Sequence, residues 1–511
     1  MEPVPELADC ARACARRLAD CEELLLASHI DADGLTSAAI ASKALERAGI
    51  SHAVVFKKQL DETEIADIAA RPYETVLFTD FGSGQLDMIA EHERAGDFQP
   101  VIADHHQPAD ASTKFHLNPL LFGINGASEL SGAGTTYVLA RHLSEVIQAD
   151  GGEQANKNPH VDSAKQTDGD PQADSTKQPD APAVSDNRDL AALAVVGAVG
   201  DMQAGTDGLT GANRGIVEEG IDAGVISEQK DLALYGKQTR PLPKLLEYSS
   251  DIGIPGISND QQGSISFLDQ LELETHEDGD WRRWVDLSDG ERQTLVSALL
   301  QRAITRGVPP DKAQQLIGTS YTLPQESSGT ELRDASEFST LLNATARYER
   351  GDVGLAVCLG DRTEALSRAK RLLRNHRRNL SEGIQRIKEQ GVTLHDHIQS
   401  VDAGDTIRET IVGIVAGMAL GSDGIPADRP IFALAEKNED EHKVSARGTG
   451  RLVGEGLDLS AVIGEAARAV GGDGGGHDIA AGATIPKANA DAFLAHADAL
   501  VGEQLGKNGK D

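Results

Sequence analysis

Four short apolar runs in this chain each lead into an acidic residue, and this pattern constrains the fold more than any other feature of the sequence. The first run, 24–27, precedes Ser28-His29-Ile30-Asp31-Ala32-Asp33-Gly34, after which a helical pattern begins. The other runs are 75–79 before Asp80, 100–103 before Asp104-His105-His106, and 193–200 before Asp201. We predict that each run is a strand of an open parallel α/β sheet. The carboxyl ends of such strands share one edge, so the four acidic ends are expected to converge in one crevice.

Several carboxylates at close quarters repel one another unless a cation lies among them. Oxygen ligands with one or two imidazoles suit Mn²⁺ or Mg²⁺ better than thiophilic metals. The pattern therefore predicts a two-metal hydrolytic centre, in which ions about 3.5–4 Å apart serve an in-line phosphoryl displacement. A single Asp at a strand end is usually a helix cap or a turn residue, but four such ends with a paired histidine favour the metal centre.

These motifs, in this order and at these intervals, resemble those of the DHH phosphoesterases. Near the C-terminus, Gly474-Gly475-Gly476-His477 resembles the signature of the DHH-associated domain. Within the superfamily the chain most resembles the archaeal RecJ-like single-strand-specific exonucleases, over most of residues 24–486, and residues 337–347 are similar to a segment of that branch. The resemblance implies two α/β lobes, a parallel-sheet DHH domain and a smaller DHH-associated domain, facing across a cleft.

The resemblance also implies a catalytic set that binds two divalent metal ions, with Mn²⁺ preferred and Mg²⁺ as the alternative. Asp31 and Asp80 would hold one ion. The other would be held by Asp33, Asp80, His105 and Asp201, so that Asp80 bridges the two sites. Asp104 would orient the neighbouring imidazole from outside the metal shell. Related proteins often place a metal-binding histidine four residues before the first Asp, where this chain has Ala27. His29 has a different spacing, two residues before Asp31, and on a strand it would share a face with that residue. It is a candidate ligand or a residue that orients a ligand.

By the same resemblance, substrate would be bound by five residues: His106, Arg447, Gly475, Gly476 and His477. A planar guanidinium suits a pair of phosphate oxygens, and a glycine-rich run lets backbone N–H groups approach an anion. Taken alone, such a run is equally typical of a flexible loop. Gly132 and Gly134, in a turn that leads into a helix N-terminus, are candidate contacts for a phosphate or for packing against the metal site.

The composition of the chain predicts three regions and one insertion. Residues 1–225 are predicted to form the metal-binding catalytic domain, 226–400 a connecting helical region, and 401–505 the substrate-binding domain. Residues 1–22 read as an amphipathic helix beside the first strand, 410–419 as a strand turning into a helix, and 430–435 as a further strand. Residues 149–188 contain almost nothing apolar and cannot offset their ordering entropy, so we predict a disordered insertion.

The net charge is −33, from 81 acidic and 48 basic residues. Such an excess repels nucleic acid over most of the surface. It indicates either a partner of another kind or an adaptation to high salt, and we favour a halophilic protein. Against this background, nine Lys or Arg residues occur between Arg362 and Lys388. They predict a helix at 362–388 with one apolar and one arginine-rich face, which would either track a nucleic-acid strand or be a solvated face.

No stretch approaches the length of about 18 apolar residues that a membrane span requires, and the N-terminus lacks a signal-peptide pattern. We therefore expect a cytoplasmic protein with no membrane partner. Four cysteines are too few for a disulfide framework in a chain of this size. Cys10, Cys14 and Cys21 cluster, and helical packing is favoured over a metal or redox role.

The leading hypothesis is a Mn²⁺- or Mg²⁺-dependent exonuclease of the RecJ type that acts on single-stranded DNA or RNA, with roles in DNA repair or replication. A small-substrate phosphodiesterase, such as an oligoribonuclease or a nucleoside bisphosphate phosphatase, is the second hypothesis. The third is a non-enzymatic scaffold of a replication complex. Candidate protein partners are replication or repair proteins, for example GINS-like proteins.

Overall fold

The computed structural model describes residues 5–156, 186–249, 252–271, 273–422 and 424–507. It consists of two compact units, Met1–Ala369 and Lys370–Asp511. Within the described residues, no helix is long and apolar enough to cross a membrane.

The sheet of the first unit contains, among the described residues, five parallel strands. They are β1 (Glu23–His29), β2 (Ser51–Lys57), β3 (Thr75–Thr79), β4 (Gln99–Ala103) and β5 (His116–Leu117). The strand order is β2-β1-β3-β4-β5, and every pairing is parallel. The direction of the chain across the sheet reverses between β1 and β3. In doubly wound sheets this switch point, beyond the carboxyl ends of the strands, is where ligands bind.

Seven helices of the described residues accompany this sheet. They are α1 (Pro5–Ala19), α2 (Ala32–Ala48), α3 (Glu62–Ala69), α4 (Leu86–Ala95), α5 (Gly132–Asn156), α6 (Ala191–Gly200) and α7 (Gly211–Asp222). Helices α3 and α4 pack on one face over a core that includes Phe78 and Ile102. On the other side α1 and α2 pack against α5, and α6 packs against α2 and α5. Burial on both faces explains why β1, β3 and β4 are apolar over most of their length rather than alternating.

Three sequence predictions for this part of the chain need correction. Residues 193–200 are helical, because a short apolar run fits a buried helix as well as a buried strand, and α6 is enclosed by other helices. Helix α1 packs mainly against α5 rather than beside β1. Helix α5 continues to Asn156, so the first part of the predicted disordered segment 149–188 is helical, while residues 157–185 lie outside the described residues.

The remainder of the first unit is mostly helical and has its own apolar core, which includes Leu245, Trp284, Leu295 and Leu299. Strand β6 pairs with β9 and β7 with β8, both antiparallel. The elements are β6 (Ser227–Leu232), α8 (Leu242–Glu247), α9 (Gln261–Asp269), β7 (His276–Glu277), β8 (Asp280–Trp281), α10 (Asp289–Thr305), α11 (Pro310–Gln314), β9 (Ile317–Thr322), α12 (Ala335–Arg347) and α13 (Gly351–Cys358).

The predicted basic helix is confirmed as α14 (Glu364–Gln390), which begins in the first unit and continues into the second. Ala369, Leu373 and Ile387 are buried. Arg374 and Lys388 are among its exposed basic residues. Intrahelical ion pairs engage two of its arginines: Arg368 with Glu364 at 4.0 Å and Arg378 with Glu382 at 3.8 Å. The helix therefore has the predicted apolar and basic faces.

The second unit has a mixed sheet with the strand order β10-β11-β12-β13-β15-β14. Only the pairing of β11 with β12 is parallel among the described pairings. Its elements are β10 (Thr393–Leu394), β11 (Gln399–Asp402), α15 (Glu409–Ala419), β12 (Ile431–Glu436), β13 (Glu441–Arg447), α16 (Gly450–Gly454), α17 (Leu459–Ala469), β14 (Asp473–Gly476), β15 (Ala480–Pro486) and α18 (Ala490–Lys507). Residues 410–419 are thus entirely helical, whereas the strand predicted at 430–435 is confirmed.

Short 3₁₀ turns complete the described secondary structure, at Ser83–Gln85, Pro119–Phe122, Arg188–Leu190, Trp284–Asp286, Glu331–Arg333 and Lys487–Asn489. A parallel-sheet α/β unit followed by a second α/β unit confirms the predicted fold class. The predicted division into three domains at 225 and 400 stays a prediction.

Helix α12 links the parallel-sheet part of the first unit with its mostly helical remainder. It packs against α2 and α6, and its Glu337 is 1% exposed. The carboxylate of Glu337 accepts hydrogen bonds from Gln238 N at 2.7 Å and from Thr239 Oγ1 at 2.5 Å. Burial raises the pKa of Glu337 to about 7, and the nearby Asp334 contributes to the rise although the two donors oppose it.

Replacing Glu337 with Gln removes this titration and keeps the size of the side chain. The pKa of Glu337 is raised above its ordinary value of 4.5. Protonated Glu337 therefore contributes its full stabilisation of the fold below about pH 4.5, and this stabilisation is lost as the pH rises to about 7. We expect the free energy of unfolding of Glu337→Gln, relative to wild type, to improve over this window by a few kcal/mol, at about 1.4 kcal/mol per pKa unit. Chemical denaturation across the window measures it.

The exposed Glu91 on α4 provides the control, since Glu91→Gln should show no comparable change with pH. A difference between Glu337→Gln and wild type that is constant from acid to neutral pH would contradict the prediction.

Candidate metal centre

The centre begins where β1 and β3 end side by side at the switch point. Their register places Ser28 opposite Thr79, so His29, the last residue of β1, and Asp80, the first residue after β3, lie at the same edge of the sheet. Thr79 Oγ1 donates to Ser28 Oγ at 2.8 Å, and Ser28 Oγ donates to the carbonyl of Gly34 at 2.8 Å. These bonds fix the loop between β1 and α2 against both strands.

Asp31 is both a helix cap and a member of the cluster. Its Oδ1 accepts from Gly34 N at 2.8 Å and caps α2. Its Oδ2 lies 3.1 Å from His29 Nδ1. A Cβ at position 34 would lie 2.1 Å from the carbonyl oxygen of His29, so the turn requires glycine. Oδ1 of Asp31 therefore caps the helix, whereas Oδ2 is the candidate metal ligand.

Asp33 is 1% exposed and is held by the N-terminus of α5. Gly132 N donates to Oδ2 at 2.7 Å, and Ala133 N and Ser131 Oγ donate to Oδ1 at 3.0 and 3.1 Å. The glycine-rich turn thus binds a carboxylate of the protein itself, which is the charge that a helix N-terminus favours. Of the two candidate contacts, Gly132 lies at the cluster, whereas Gly134 lies against Leu130 and Asn213.

Asp80 lies at the middle of the cluster and is 1% exposed. Its backbone has φ 61°, a conformation that non-glycine residues adopt at a cost and that occurs often at functional sites. Oδ2 lies 3.4 Å from His29 Nδ1 and Oδ1 lies 3.2 Å from His105 Nε2. Among the described residues, neither oxygen has a hydrogen-bond partner of good geometry.

His105 and Asp201 complete the far side of the cluster. His105 Nδ1 donates to the carbonyl of Gly126 at 2.7 Å, which directs Nε2 toward the carboxylates. Nε2 lies 3.8 Å from both Asp33 Oδ2 and Asp201 Oδ2. Gln203 Nε2 donates to Asp201 Oδ2 at 2.8 Å.

Asp104 is fully buried, and one of its oxygens lies within 4.8 Å of ligand atoms of Asp80, His105 and His106. Its oxygens accept from Ser83 N at 2.9 Å, His105 N at 2.7 Å and His106 Nδ1 at 2.8 Å. Burial raises its pKa, but the bond from His106 and the charges of the two imidazoles lower the pKa to about 2. Asp104 is therefore an ionised acceptor that orients His106, whose side chain remains 53% exposed.

The pKa values of the cluster are shifted by burial and by the close contact of carboxylates with imidazoles. Burial lowers the pKa of His105, yet the carboxylates of Asp80, Asp33 and Asp201 raise it to about 11. Burial raises the pKa of Asp80, but the two adjacent imidazoles hold it far below its usual range. The pKa of Asp33 is raised by burial and by Asp80, and that of Asp201 is raised to about 6 by burial and Asp80 despite His105.

The donor chemistry fits divalent cations. Carboxylate and imidazole ligand atoms lie within 4.8 Å of one another in three sets: His29 with Asp31 and Asp80, Asp33 with His105 and Asp201, and Asp80 with Asp104, His105 and His106. Asp80 Oδ1, Asp80 Oδ2, His29 Nδ1 and His105 Nε2 are buried and lack a hydrogen-bond partner among the described residues. Because buried polar atoms are normally satisfied, a bound cation is the natural partner for these atoms.

The structure brings together all five residues predicted as metal ligands, and the candidate His29 lies with them. Their roles as ligands stay a prediction. His106 lies beside His105, with ring centroids 4.3 Å apart.

The substrate residues predicted near the C-terminus belong to the second unit. Arg447 ends β13 and pairs with Ala480 of β15, while His477 lies in the turn between β14 and β15. Strand register therefore places both at the same end of the sheet. Arg447 Nη1 donates to the carbonyl of Ala446 at 2.8 Å.

The glycine run of this unit forms β14 rather than a flexible loop. Gly475 pairs with Gly482 and Gly476 with Ala481, on the edge of the sheet. Gly476 has φ 145°, and a Cβ there would lie 2.6 Å from Ala481 Cα, whereas a Cβ at Gly475 would meet nothing within 4 Å. The backbone conformation and packing therefore require glycine at position 476 but not at position 475.

Sequence reasoning missed three supporting residues. Asn343 Oδ1, on α12, accepts from Ala32 N at 3.0 Å and so fixes the loop between Asp31 and Asp33. Gln203 contacts Asp201. A Cβ at Gly197 would lie 2.4 Å from Asp33 Oδ1. No sequence motif predicts these residues. Their contacts either join positions that are remote in the sequence or form only because α6 is helical.

The fold and the cluster define an α/β protein with a candidate divalent-metal centre at the switch point of its parallel sheet. Three family models match the chain: the DHH family N-terminal domain at 23–163, the DHH-CID domain at 234–317 and the DHHA1 domain at 397–503. The chain is therefore a member of the DHH phosphoesterase family, and it has a RecJ-like fold.

Similar proteins agree with this assignment. An uncharacterized protein of Methanocaldococcus jannaschii is 26% identical over 487 residues, covering 94% of this chain and 93% of the relative. The Mn²⁺ complex of RecJ from Thermus thermophilus aligns with a TM-score of 0.57 at 16% identity, over 97% of this chain and 55% of RecJ. This chain thus spans about half of that protein. CDC45 from Entamoeba histolytica aligns with a TM-score of 0.58 at 10% identity, over 98% of each chain.

We predict that Gly132→Ala weakens Mn²⁺ binding while leaving the protein folded. The new Cβ would lie 2.2 Å from Asp80 Oδ1, so Asp80 must move from its position next to His29 and His105. We expect Mn²⁺ affinity to fall at least about 10-fold, as for other disturbances of ligand orientation. Isothermal titration with Mn²⁺ measures the change.

Gly290→Ala is a matched control, because Gly290 also lies in the first turn of a helix, α10, and its Cβ would meet nothing within 4 Å. Equal Mn²⁺ affinity of Gly132→Ala and Gly290→Ala would show that Asp80 does not need this space.

Proposed function

We propose that the protein is a metal-dependent phosphodiesterase that hydrolyses single-stranded nucleic acid from an end, as a RecJ-like exonuclease. The observation that carries the proposal is the position of Asp80, which belongs to the ligand set with His29 and Asp31 and lies 3.2 Å from His105 Nε2 of the set with Asp33 and Asp201. Both sets use the acceptor-rich edge where β1 and β3 end, and both contain buried atoms without a hydrogen-bond partner among the described residues.

In this proposal Asp31 and Asp80, with His29 as a further ligand, hold one divalent ion. The second ion is held by Asp33, Asp80, His105 and Asp201. When bound, two such ions supply an activated water and neutralise charge on the phosphate oxygens. The Mn²⁺ and Mg²⁺ complexes of Thermus thermophilus RecJ, which has the same fold, support these two ions as cofactors.

His106 is the proposed contact to the phosphate or the leaving oxygen. Burial lowers its pKa, but the carboxylate of Asp104 outweighs this and raises it, so the ring carries positive charge at higher pH than a free histidine does. Asp104 occupies Nδ1 of the ring at 2.8 Å. The other nitrogen, Nε2, is therefore the one that donates to a substrate oxygen.

A polymeric substrate is supported by the contrast between α14 and the rest of the chain. Exposed Arg374, Arg386 and Lys388 provide positive charge in a protein of net charge −33, and a basic surface that tracks the backbone is typical of single-strand binding. In the second unit, Arg447 and the turn at His477, with the adjacent Gly475 and Gly476, are the proposed contacts to a substrate phosphate.

The first test compares wild type with Asp80→Asn in Mn²⁺-dependent degradation of end-labelled single-stranded DNA and RNA, at low and at molar salt. The substitution keeps the size of the side chain but removes the negative charge that lies next to His29 and His105. We expect the rate to fall by more than about 100-fold, since even residues behind the ligands contribute about 10- to 100-fold. Asp87→Asn, at an exposed position on α4, is the control and should retain activity.

Each outcome of this test decides between functions. Stepwise shortening of the labelled strand supports the exonuclease and reveals its polarity. Cleavage of a dinucleotide but not of the long strand would favour a small-substrate phosphodiesterase. Mn²⁺ binding without hydrolysis of any substrate, or no Mn²⁺ binding at all, would contradict the proposal and favour a scaffold role.

The role of α14 predicts a change in the salt dependence of binding. Replacing Arg374, Arg386 and Lys388 together by Gln should weaken binding of an oligonucleotide and reduce the slope of log affinity against log salt by about 0.7 for each phosphate that these side chains neutralise. Fluorescence anisotropy at several salt concentrations, on the Asp80→Asn background to prevent cleavage, measures both quantities.

Arg306→Gln, which removes an exposed charge at the end of α10, should leave the slope unchanged. An unchanged slope in the triple variant would show that the basic face of α14 is only a solvated surface.

A further inference from the structure

The buried side chains of Gln203 and Asn213 lie directly behind the ligand set formed by Asp33, His105 and Asp201. Gln203 is 5% exposed and follows α6, and Asn213 is 2% exposed and lies in the first turn of α7. Neither belongs to a motif that the sequence marks. Each nevertheless contacts groups that position the ligands.

Gln203 reaches two of the three ligands of this set. Its Nε2 donates to Asp201 Oδ2 at 2.8 Å and to the carbonyl of Gly126 at 2.8 Å. That carbonyl is also the acceptor for His105 Nδ1 at 2.7 Å. One amide group therefore fixes the carboxylate of Asp201 directly and the ring of His105 through Gly126.

The orientation of the amide of Gln203 is determined by its surroundings. Both groups facing Nε2 are acceptors, so the side chain cannot turn its oxygen toward them without losing both bonds. Its Oε1 therefore faces Asn213 and accepts from Asn213 Nδ2 at 2.6 Å. The oxygen of Asn213 then faces Ser131 N at 3.5 Å.

This arrangement extends to the third ligand. Ser131 Oγ donates to Asp33 Oδ1 at 3.1 Å. A chain of oriented amides thus connects Ser131, Asn213 and Gln203 with groups that contact Asp33, Asp201 and His105. It adds no charge to a cluster that is already acidic, and it leaves His105 Nε2 directed at the carboxylates.

We infer that Gln203 and Asn213 are positioning residues that set the affinity of the ion site formed by Asp33, His105 and Asp201. The inference rests on the proposed metal-dependent function. Residues that orient ligands in this way typically contribute about 10- to 100-fold to metal affinity or activity. The site with His29 and Asp31 has no contact with either amide among the described hydrogen bonds, so the effect should be confined to one of two ions.

The test measures equilibrium binding of Mn²⁺ to the full chain, by isothermal titration and by electron paramagnetic resonance of the free ion. Gln203→Leu removes both donated bonds and should weaken one of two Mn²⁺ ions by about 10- to 100-fold, with the other unchanged. Asn213→Asp keeps Gln203 but cannot donate to its oxygen, so it should favour the reversed amide and weaken the same ion.

Gln399→Leu is the matched control. Gln399 is likewise buried, and its Nε2 donates to two carbonyls, those of Pro426 at 2.6 Å and Arg429 at 3.1 Å. Both leucine variants should lower the thermal stability of the metal-free protein, but only Gln203→Leu should change Mn²⁺ affinity. This comparison separates positioning of the ligands from a general loss of packing.

Wild type that binds two Mn²⁺ ions, with Gln203→Leu and Asn213→Asp each weakening one, supports the inference. If both variants fold and bind Mn²⁺ within about twofold of wild type, well below the usual effect, the inference is wrong while the metal centre stands. If Gln203→Leu does not fold, Asn213→Asp decides alone. Wild type that binds no Mn²⁺ overturns the proposed function itself, and the inference with it.

Discussion

The central constraint on this protein is electrostatic, because four carboxylates meet in a buried edge of the parallel sheet. Asp80 is the residue on which the arrangement depends. Its two oxygens face His29 and His105 on opposite sides, and its backbone adopts a left-handed conformation that costs free energy. Such a cluster is stable only when positive charge lies among the carboxylates, whether from protonated imidazoles or from bound cations. The cluster is therefore a candidate site for divalent cations.

Two aspartates at neighbouring strand ends show how environment decides a role. Asp104 is surrounded by backbone and imidazole donors and is held ionised. Asp80 is equally buried but has no such donors among the described residues. The donors around Asp104 satisfy its charge, so it orients His106, whereas the oxygens of Asp80 remain available to a cation. The fold makes this distinction by aiming the N–H groups of Ser83 and His105 at Asp104 alone.

The glycines of the first unit serve the same constraint. At Gly132 and Gly197 a Cβ would lie within 2.4 Å of the carboxylate oxygens of Asp80 and Asp33. Helices α5 and α6 can therefore approach the cluster closely only because these positions lack a side chain. Because α5 approaches so closely, two backbone N–H groups at its N-terminus donate hydrogen bonds to Asp33. Helix packing and charge compensation are thus achieved by the same contacts.

The parallel α/β fold of the first unit, the second α/β unit, the basic helix α14 and the residues that meet in the cluster can all be predicted from the amino-acid sequence. Local patterns are sufficient for these features, because the strand ends of a parallel sheet converge at one edge. That Asp201 follows a helix became clear from the folded structure, since a short run that is apolar on all sides fits either conformation. The same holds for the binding of Asp33 by α5, for the strand at residues 473–476, and for the support that Gln203, Asn213 and Asn343 give to the site. Those contacts join residues as far apart as 32 and 343, and no local periodicity encodes a hydrogen bond between positions so remote in the chain.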